Sequence, residues 1–436
     1  MRNLLLVALG MVLLQSCLKD KVKQVEPVVP DKVQNLDVPA DFDWVTSKNV
    51  ACVVNTQEAS ALVELFTDKE CKENLIATVS TQAGVDNRVM TSVPDCLETV
   101  YASYTAASGE KKITSASVVG NTFSFNIPDA QKTQVAQLAQ LVSRAVDPTD
   151  PPVIENAGLM SYPANFGLVL FEDMYPALGD YDFNDIVLGY QITLEYPWEG
   201  NGYNTTKANK MRIHLKTRAL GGLLDFTPYV RIVGLDAKNV NIPDYIYQSS
   251  NPNPQIRLNT TEGIAVSKVT GSQTDDVIFE FKNLSGTNPN KPAGAIYLNT
   301  EKEYLTKVNQ LAEVVIYLNL EEEVSVEDLL DNKIDIFLAN ADRTKEIHLR
   351  GYEPVFNEYD YSDENLSKTV TYASAGNLVW GIKTPSSIPH VMEKTNFCEG
   401  YFRFADWVQS GGKLAKDWYV ANETNTDADK LIKLPF

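Results

Sequence analysis

Short apolar or alternating runs separated by polar turns make up most of the chain. In the first third they are VACVVN (50–55), ALVELFT (61–67), LIATVST (75–81), ETVYASYT (98–105) and TFSFNI (122–127). They are rich in β-branched and aromatic residues, which predicts a small immunoglobulin-like β-sandwich over 39–128. DAQKTQVAQLAQLVSRA (129–145) breaks this period. Val135, Leu138, Leu141 and Val142 recur at helical spacing behind Asp129, a residue able to cap a helix start, and the prolines of VDPTDPPV stop the run. A helix and Pro-rich linker is therefore expected over 129–152. Beyond it, FGLVLFED, DIVLGYQITLEY, KMRIHLKTRAL, PYVRIVGL, DVIFEF, EVVIYLNL, KIDIFLAN and EIHLRGY all read as strands. Ile213 and Leu215 share a face, as do Ile334, Ile336 and Leu338. Such one-sided alternation predicts antiparallel strands with one wet face. The expected fold is all-β, with a larger β-sandwich or jelly roll over 153–436. Two helical pieces interrupt it: SVEDLLD, capped by Ser325, and YFRFADWVQSGG, stopped near Gly411.

The first residues do not follow this pattern. MRNLLLVALGMVLLQSC has one Arg and an apolar run from Leu4 to Leu14. The run is shorter than the ~20 apolar residues a spanning helix needs, and it reads as a secretory signal over 1–16. Leu14-Gln15-Ser16-Cys17 resembles a bacterial lipobox, which makes Cys17 the expected lipidation site and the membrane the first partner. The polar, Pro-containing stretch 17–38 reads as a flexible tether. These features predict an outer-membrane lipoprotein on the cell surface or the periplasmic face. No acidic run follows Cys17, so the face stays open. The compartment permits disulfides among Cys52, Cys71, Cys96 and Cys398, at most one of them within 52–96. No CxxC pair occurs, which argues against a thiol-based zinc or redox site.

Charge narrows the partners. The 436 residues include 57 acidic and 38 basic side chains, for a net charge of −19. That balance argues against nucleic acid, whose phosphates are bound by clustered Lys and Arg. It suits a solvated extracellular surface or bound cations. The acidic residues are densest in FEDMYPALGDYDFNDIVLGY (171–190), which places Glu172, Asp173, Asp180, Asp182, Asn184 and Asp185 beside apolar runs. If this stretch were extended, Asp180, Asp182 and Asn184 would share one side and Tyr181 and Phe183 the other. Short oxygen ligands projecting together suit calcium, which takes six to eight oxygens. Glu172, Asp173 and Asp185 could close the shell. The site would not be an EF-hand: Asp185 replaces the glycine of the sixth position and Gln191 the glutamate of the twelfth.

FEDMYPALGDYDFNDIVLGYQITL resembles the LruC-domain family of bacterial lipoproteins. NIPDYIYQ (241–248), EIHLRGYEPV (346–355) and the stretch 377–419 fit the same family. The resemblance implies a lipoprotein with a β-rich C-terminal domain. Through a similar signature in calcium-associated extracellular domains, it also implies Asp180, Asp182, Asn184 and Asp185 as ligands. It implies no reaction.

Catalytic signatures are scarce. His214, His348 and His390 form no HExxH or close pair, and no GxSxG elbow or phosphate-binding loop is present. A glycosidase needs only two placed carboxylates, and NEYDYSDEN (357–365) adds candidates, though a hydrated surface loop is the better reading of that stretch. Trp198, Trp380, Trp407 and Trp418 could stack on sugars or pack internally. Two functions are compatible with these residues. One is a non-enzymatic module that binds glycan or protein, or builds a surface assembly. The other is an anchored carbohydrate-active hydrolase.

Overall fold

The computed structural model describes residues 31–57, 61–81, 86–132, 158–199, 202–241, 265–283, 288, 297–302, 305–307 and 310–433. The leader, Cys17, most of the tether, the predicted helix from 133 onward and nearly all of NIPDYIYQ lie outside them.

The molecule is mostly β. Seven strands come from the first region: β1 (Ser47–Thr56), β2 (Leu62–Phe66), β3 (Leu75–Ser80), β4 (Asn87–Pro94), β5 (Thr99–Thr105), β6 (Lys111–Ser117) and β7 (Thr122–Ile127). The second region supplies β8 (Leu159–Phe171), β9 (Ile186–Glu195), β10 (Lys207–Leu220), β11 (Phe226–Asp236), β12 (Ala265–Lys268), β13 (Asp276–Lys282), β14 (Glu313–Ser325), β15 (Ile334–Asn340) and β16 (Gly381–Thr384). Among the described residues, helix is limited to short 3₁₀ turns and two α-helices, α1 (Phe397–Gly400) and α2 (Phe404–Gln409). No helix among the described residues is long and apolar enough to cross a membrane.

The strands stack in sandwich-like sheets. One runs β14-β10-β9-β8-β3-β2-β5-β6, with β16 also paired to β8. The others run β4-β1-β7 and β12-β13-β11-β15. Ladders are antiparallel except β1 with β7. The large sheet passes between the two regions where Ala77 of β3 faces Met160 of β8. β4 and β6 are strands that the pattern does not predict; NRVMTSVP and KKITSAS carry too few apolar residues to stand out.

Alternation decides burial where one face is wet and misleads where both are covered. On β10, Ile213 and Leu215 are buried while Arg212 and His214 are partly exposed. On β15 the predicted wet face is covered: Asp335, Phe337 and Ala339 are as buried as Ile334, Ile336 and Leu338. Phe337 packs with Tyr229 and Val355 in a small separate core, and Asp335 is bonded to His348. EIHLRGY is a strand only at Glu346–Ile347. His348 then turns inward between Asp335 Oδ2 (2.7 Å) and Glu346 Oε2 (3.1 Å), stacked on Phe337. Trp380, Trp407 and Trp418 are core residues, and Trp198 packs edge-on against Tyr203. The four described cysteines are free.

Two large apolar cores hold the sheets and the acidic stretch in place. The main one runs without a break from Val50, Val63 and Phe125 to Ile213, Ile316 and Trp380. The second gathers Val33, Leu36, Phe42 and Trp44 from the N-terminal segment, Tyr181 and Phe183 from the acidic stretch, and Phe397, Trp407 and Trp418 from the C-terminal helical region. Residues 31–38, the end of the stretch read as a tether, are thus packed on the body through Val33, Leu36 and Val38.

Candidate metal centre

The acidic stretch links β8 to β9, two neighbours in the large sheet. It leaves β8 at Phe171 and is pinned at once, because the Glu172 N–H donates to Trp380 O (2.9 Å). Across the loop, Tyr181 and Phe183 both adopt left-handed backbone, φ 59° and 52°. That conformation is costly for aromatic residues, on the order of 1–3 kcal/mol each, and persists only where its surroundings enforce it. Two groups do so. The rings pack edge-on with each other, and Phe183 packs edge-on against Phe397 in the second core. The Tyr181 and Phe183 N–H groups both donate to the Glu172 carboxylate, at 3.2 and 2.6 Å. The expected division of side chains therefore holds, rings one way and acids the other, but the backbone that makes it is not extended strand.

Glu172, Asp180 and Asp182 each bring a carboxylate oxygen to within 4.8 Å of the others. Oxygens on opposite sides of one calcium stand no more than ~5 Å apart at 2.3–2.6 Å ligand distances. Glu172 and Asp182 are buried and Asp180 is exposed. Asp182 Oδ1 accepts from Asn184 N–H (3.1 Å) and Oδ2 from Lys394 N–H (2.8 Å). Asp173 and Asp185 form a second pair at the side. The Asp173 N–H donates to Asp185 Oδ2 (2.7 Å), and Asp173 Oδ2 accepts from Leu224 N–H (3.0 Å). Asn184 is fully buried. Its amide donates to Val391 O (3.1 Å), but its Oδ1 has no partner.

One acidic residue is missed by sequence reasoning. Glu393 lies two positions after Val391, which holds Asn184, and its Oε2 is also buried without a partner. A Cβ on Gly221 would collide with Asn184 Oδ1 and stand 3.0 Å from Glu393 Oε2. The two orphan oxygens therefore converge over a glycine. No spacing rule links residue 393 to residue 184. The only available signal was that Glu393 lies within the 377–419 stretch of the family resemblance.

The electrostatics follow from burial and crowding. Burial, then Asp185 and Asp182, drives the Glu172 carboxyl far above its ordinary range. Burial, then Asp180, pushes Asp182 up to about 8, and burial, then Asp173, pushes Asp185 up to about 8. Asp173 and Glu393 rise for the same first reason, burial. Among the described residues no ion pair with Lys, Arg or His reaches any of these acids. Buried carboxylates without cations are costly. The donor set is all oxygen, which suits a hard cation and not zinc or copper.

Comparison with known proteins adds a partial domain match and a likeness of fold. Residues 206–419, in the C-terminal part of the chain, match the model of a domain of unknown function, DUF4842. The match includes Gly221 and Glu393 and begins after the acidic stretch. A solved structure from Bacteroides ovatus, provisionally described as a lipoprotein, superposes with a TM-score of 0.60. It covers 86% of this chain and 100% of its own at 21% identity, a likeness of fold. No curated protein matches the chain.

Proposed function

We propose that the chain is a lipid-anchored cell-envelope protein, held through Cys17 in the outer membrane at its surface or periplasmic face. Its β body is stiffened by calcium and serves as a non-enzymatic binding, adhesion or surface-assembly module for a glycan or protein. The observation that carries the calcium is the buried, unpartnered Asn184 Oδ1 beside carboxylates that form no ion pair among the described residues. Glu172, Asp180, Asp182, Asn184 and Glu393 would supply ligands, while Asp173 and Asp185 add charge from the side. A cation there would tie the end of β8 to the start of β9 and to the segment before α1, cancelling their repulsion. The convergence of Glu172, Asp180 and Asp182 within 4.8 Å also favours a metal shell over an acid/base pair. A hydrolase would hold its two carboxyls ~5–10 Å apart across a sugar. The anchor rests on the leader and lipobox, in keeping with the LruC resemblance and with the description of the Bacteroides ovatus protein.

Thermal unfolding in about 10 mM calcium and in EDTA tests the site. Extracellular sites often bind with Kd near ~10⁻⁴ M. Roughly a hundredfold excess would then add ~2.7 kcal/mol and raise the midpoint by several degrees. Asp182→Ala should abolish the calcium increment and change little in EDTA. Equal losses in both buffers would remove the metal from the account.

A further inference from the structure

Met174, Leu178, Leu223 and Leu224 are large apolar side chains left in solvent, Leu223 at 72% exposure. They belong to two turns that meet at the acidic loop. Met174 follows Asp173, and Leu178 precedes Gly179, where a Cβ would collide with Glu172 Oε2. The turn carrying Leu223 and Leu224 is fastened to the loop's charged residues. Gly221 N–H donates to Asn184 O (3.1 Å), Gly222 N–H to Asp185 O (3.1 Å) and Leu224 N–H to Asp173 Oδ2 (3.0 Å). Exposed apolar residues thus rim an acidic centre that opens to solvent at Asp180.

The N-terminal segment arrives at the same loop. Gln34 Nε2 donates to Asp180 O (2.9 Å) and Gly179 O (3.2 Å). Asn396 accepts the Val33 N–H (3.1 Å) and donates to Gln34 Oε1 (2.9 Å). The chain from Cys17 therefore meets the body beside the acidic centre. Even fully extended, residues 17 to 33 span no more than ~55 Å.

We infer that the acidic loop and the rim of Met174, Leu178, Leu223 and Leu224 form a calcium-dependent docking face for the phospholipid bilayer that holds the anchor. This rests on the proposed calcium site and lipid anchor. Bare, the loop's carboxylates repel anionic headgroups. Calcium accepts six to eight oxygens, so an ion on these residues can take a lipid phosphate oxygen on the Asp180 side. The rim side chains then enter the headgroup region, where apolar area and neutralised charge act together. The docked Gln34 keeps this face within a tether's length of the membrane, and calcium controls whether the body lies on it.

Leu223→Trp in the full-length lipidated chain, reconstituted in phosphatidylglycerol–phosphatidylethanolamine vesicles with brominated acyl chains, reads the contact directly. Of the five native tryptophans, Trp44, Trp380, Trp407 and Trp418 are buried and Trp198 is half-buried, so the parent chain's spectrum is subtracted. Calcium should blue-shift and quench the new indole relative to EDTA. Asp182→Ala should remove that response. Val119→Trp, at an exposed position beyond β6 on the far edge of the large sheet, should not respond. An unchanged Leu223→Trp spectrum while calcium still raises the unfolding midpoint would overturn the docking face and leave the calcium site standing. An equal response at Val119→Trp would also overturn it, as non-specific vesicle adhesion. No rise in midpoint would overturn the calcium site and the docking face together. Flotation with vesicles in EDTA reports the anchor separately. Its loss would overturn the anchor, and flotation restored by calcium alone would still support the docking face.

Discussion

Asp182 is the residue at which fold and charge conflict most openly. Its carboxyl is buried beside other acids and titrates at about 8 in the folded chain; in an unfolded chain an Asp titrates near ~3.9. A carboxyl raised in this way holds its proton more tightly when folded. The stability it contributes is complete below the unfolded value and is lost as pH rises through the folded one. Asp185, also raised to about 8, and Glu172, raised further, act in the same direction. In EDTA the unfolding midpoint should therefore fall between about pH 4 and pH 8. Saturating calcium should flatten that slope, because the bound ion favours the charged forms. A midpoint in EDTA that does not fall over this window would show that the acids are not crowded as described. At this scale most of the candidate site was legible: density of acid beside apolar runs singled out Asn184 and the Glu172, Asp180 and Asp182 that the fold brings together. Glu393 was not legible, because what brings it to Asn184 is a tertiary contact between distant loops, and composition carries no trace of such a contact.

Elements explain how those residues are held. The loop between β8 and β9 has no regular structure to fix it, so neighbours fix it from both sides. Asn396 is central. It caps α1 by accepting the Cys398 N–H (3.3 Å), and its amide reaches Asp180 O (3.3 Å) as well as Gln34. The Phe397 N–H then donates to Tyr181 O (2.9 Å). Replacing a cap of this type costs roughly 1 kcal/mol, and here the loss falls on the docking of residues 31–38. Asn396→Ala should make trypsin cut after Lys32 roughly five-fold faster, the equivalent of ~1 kcal/mol in local opening. An unchanged rate would mean that Val33, Leu36 and Val38 hold the segment without the polar latch. The loop's two-sidedness was legible, but on the assumption of extended backbone. Period-two reasoning sorts side chains without specifying φ, and the left-handed turns at Tyr181 and Phe183 are set by Glu172 and Phe397. The same limit appears on β15, where alternation marked Ile334, Ile336 and Leu338 as inner. Nothing in the pattern said that His348 and Phe356 would cover the other face.

For the whole molecule the question is how the two strand-rich regions depend on each other. Period-two runs made most strands legible, but a run such as LIATVST presents the same alternating faces to any partner, so its pairing with β8 was not. That pairing joins the regions through one sheet, and the main core continues across the junction. Polar contacts cross it as well. Ser47 Oγ donates to Asp331 Oδ2 (2.8 Å), Asp331 N–H to Ser92 Oγ (3.1 Å) and Thr205 Oγ1 to Arg88 O (2.7 Å). Separating the regions would expose apolar area and leave the buried Asp331 without part of its shell, a loss of the kind that makes neighbouring units unfold together. Calorimetry should therefore show one transition whose van't Hoff and calorimetric enthalpies agree, and calcium should move the whole peak. Two peaks, with only one responding to calcium, would instead make residues 39–128 an independent unit and assign the ion's stabilisation to the C-terminal body alone.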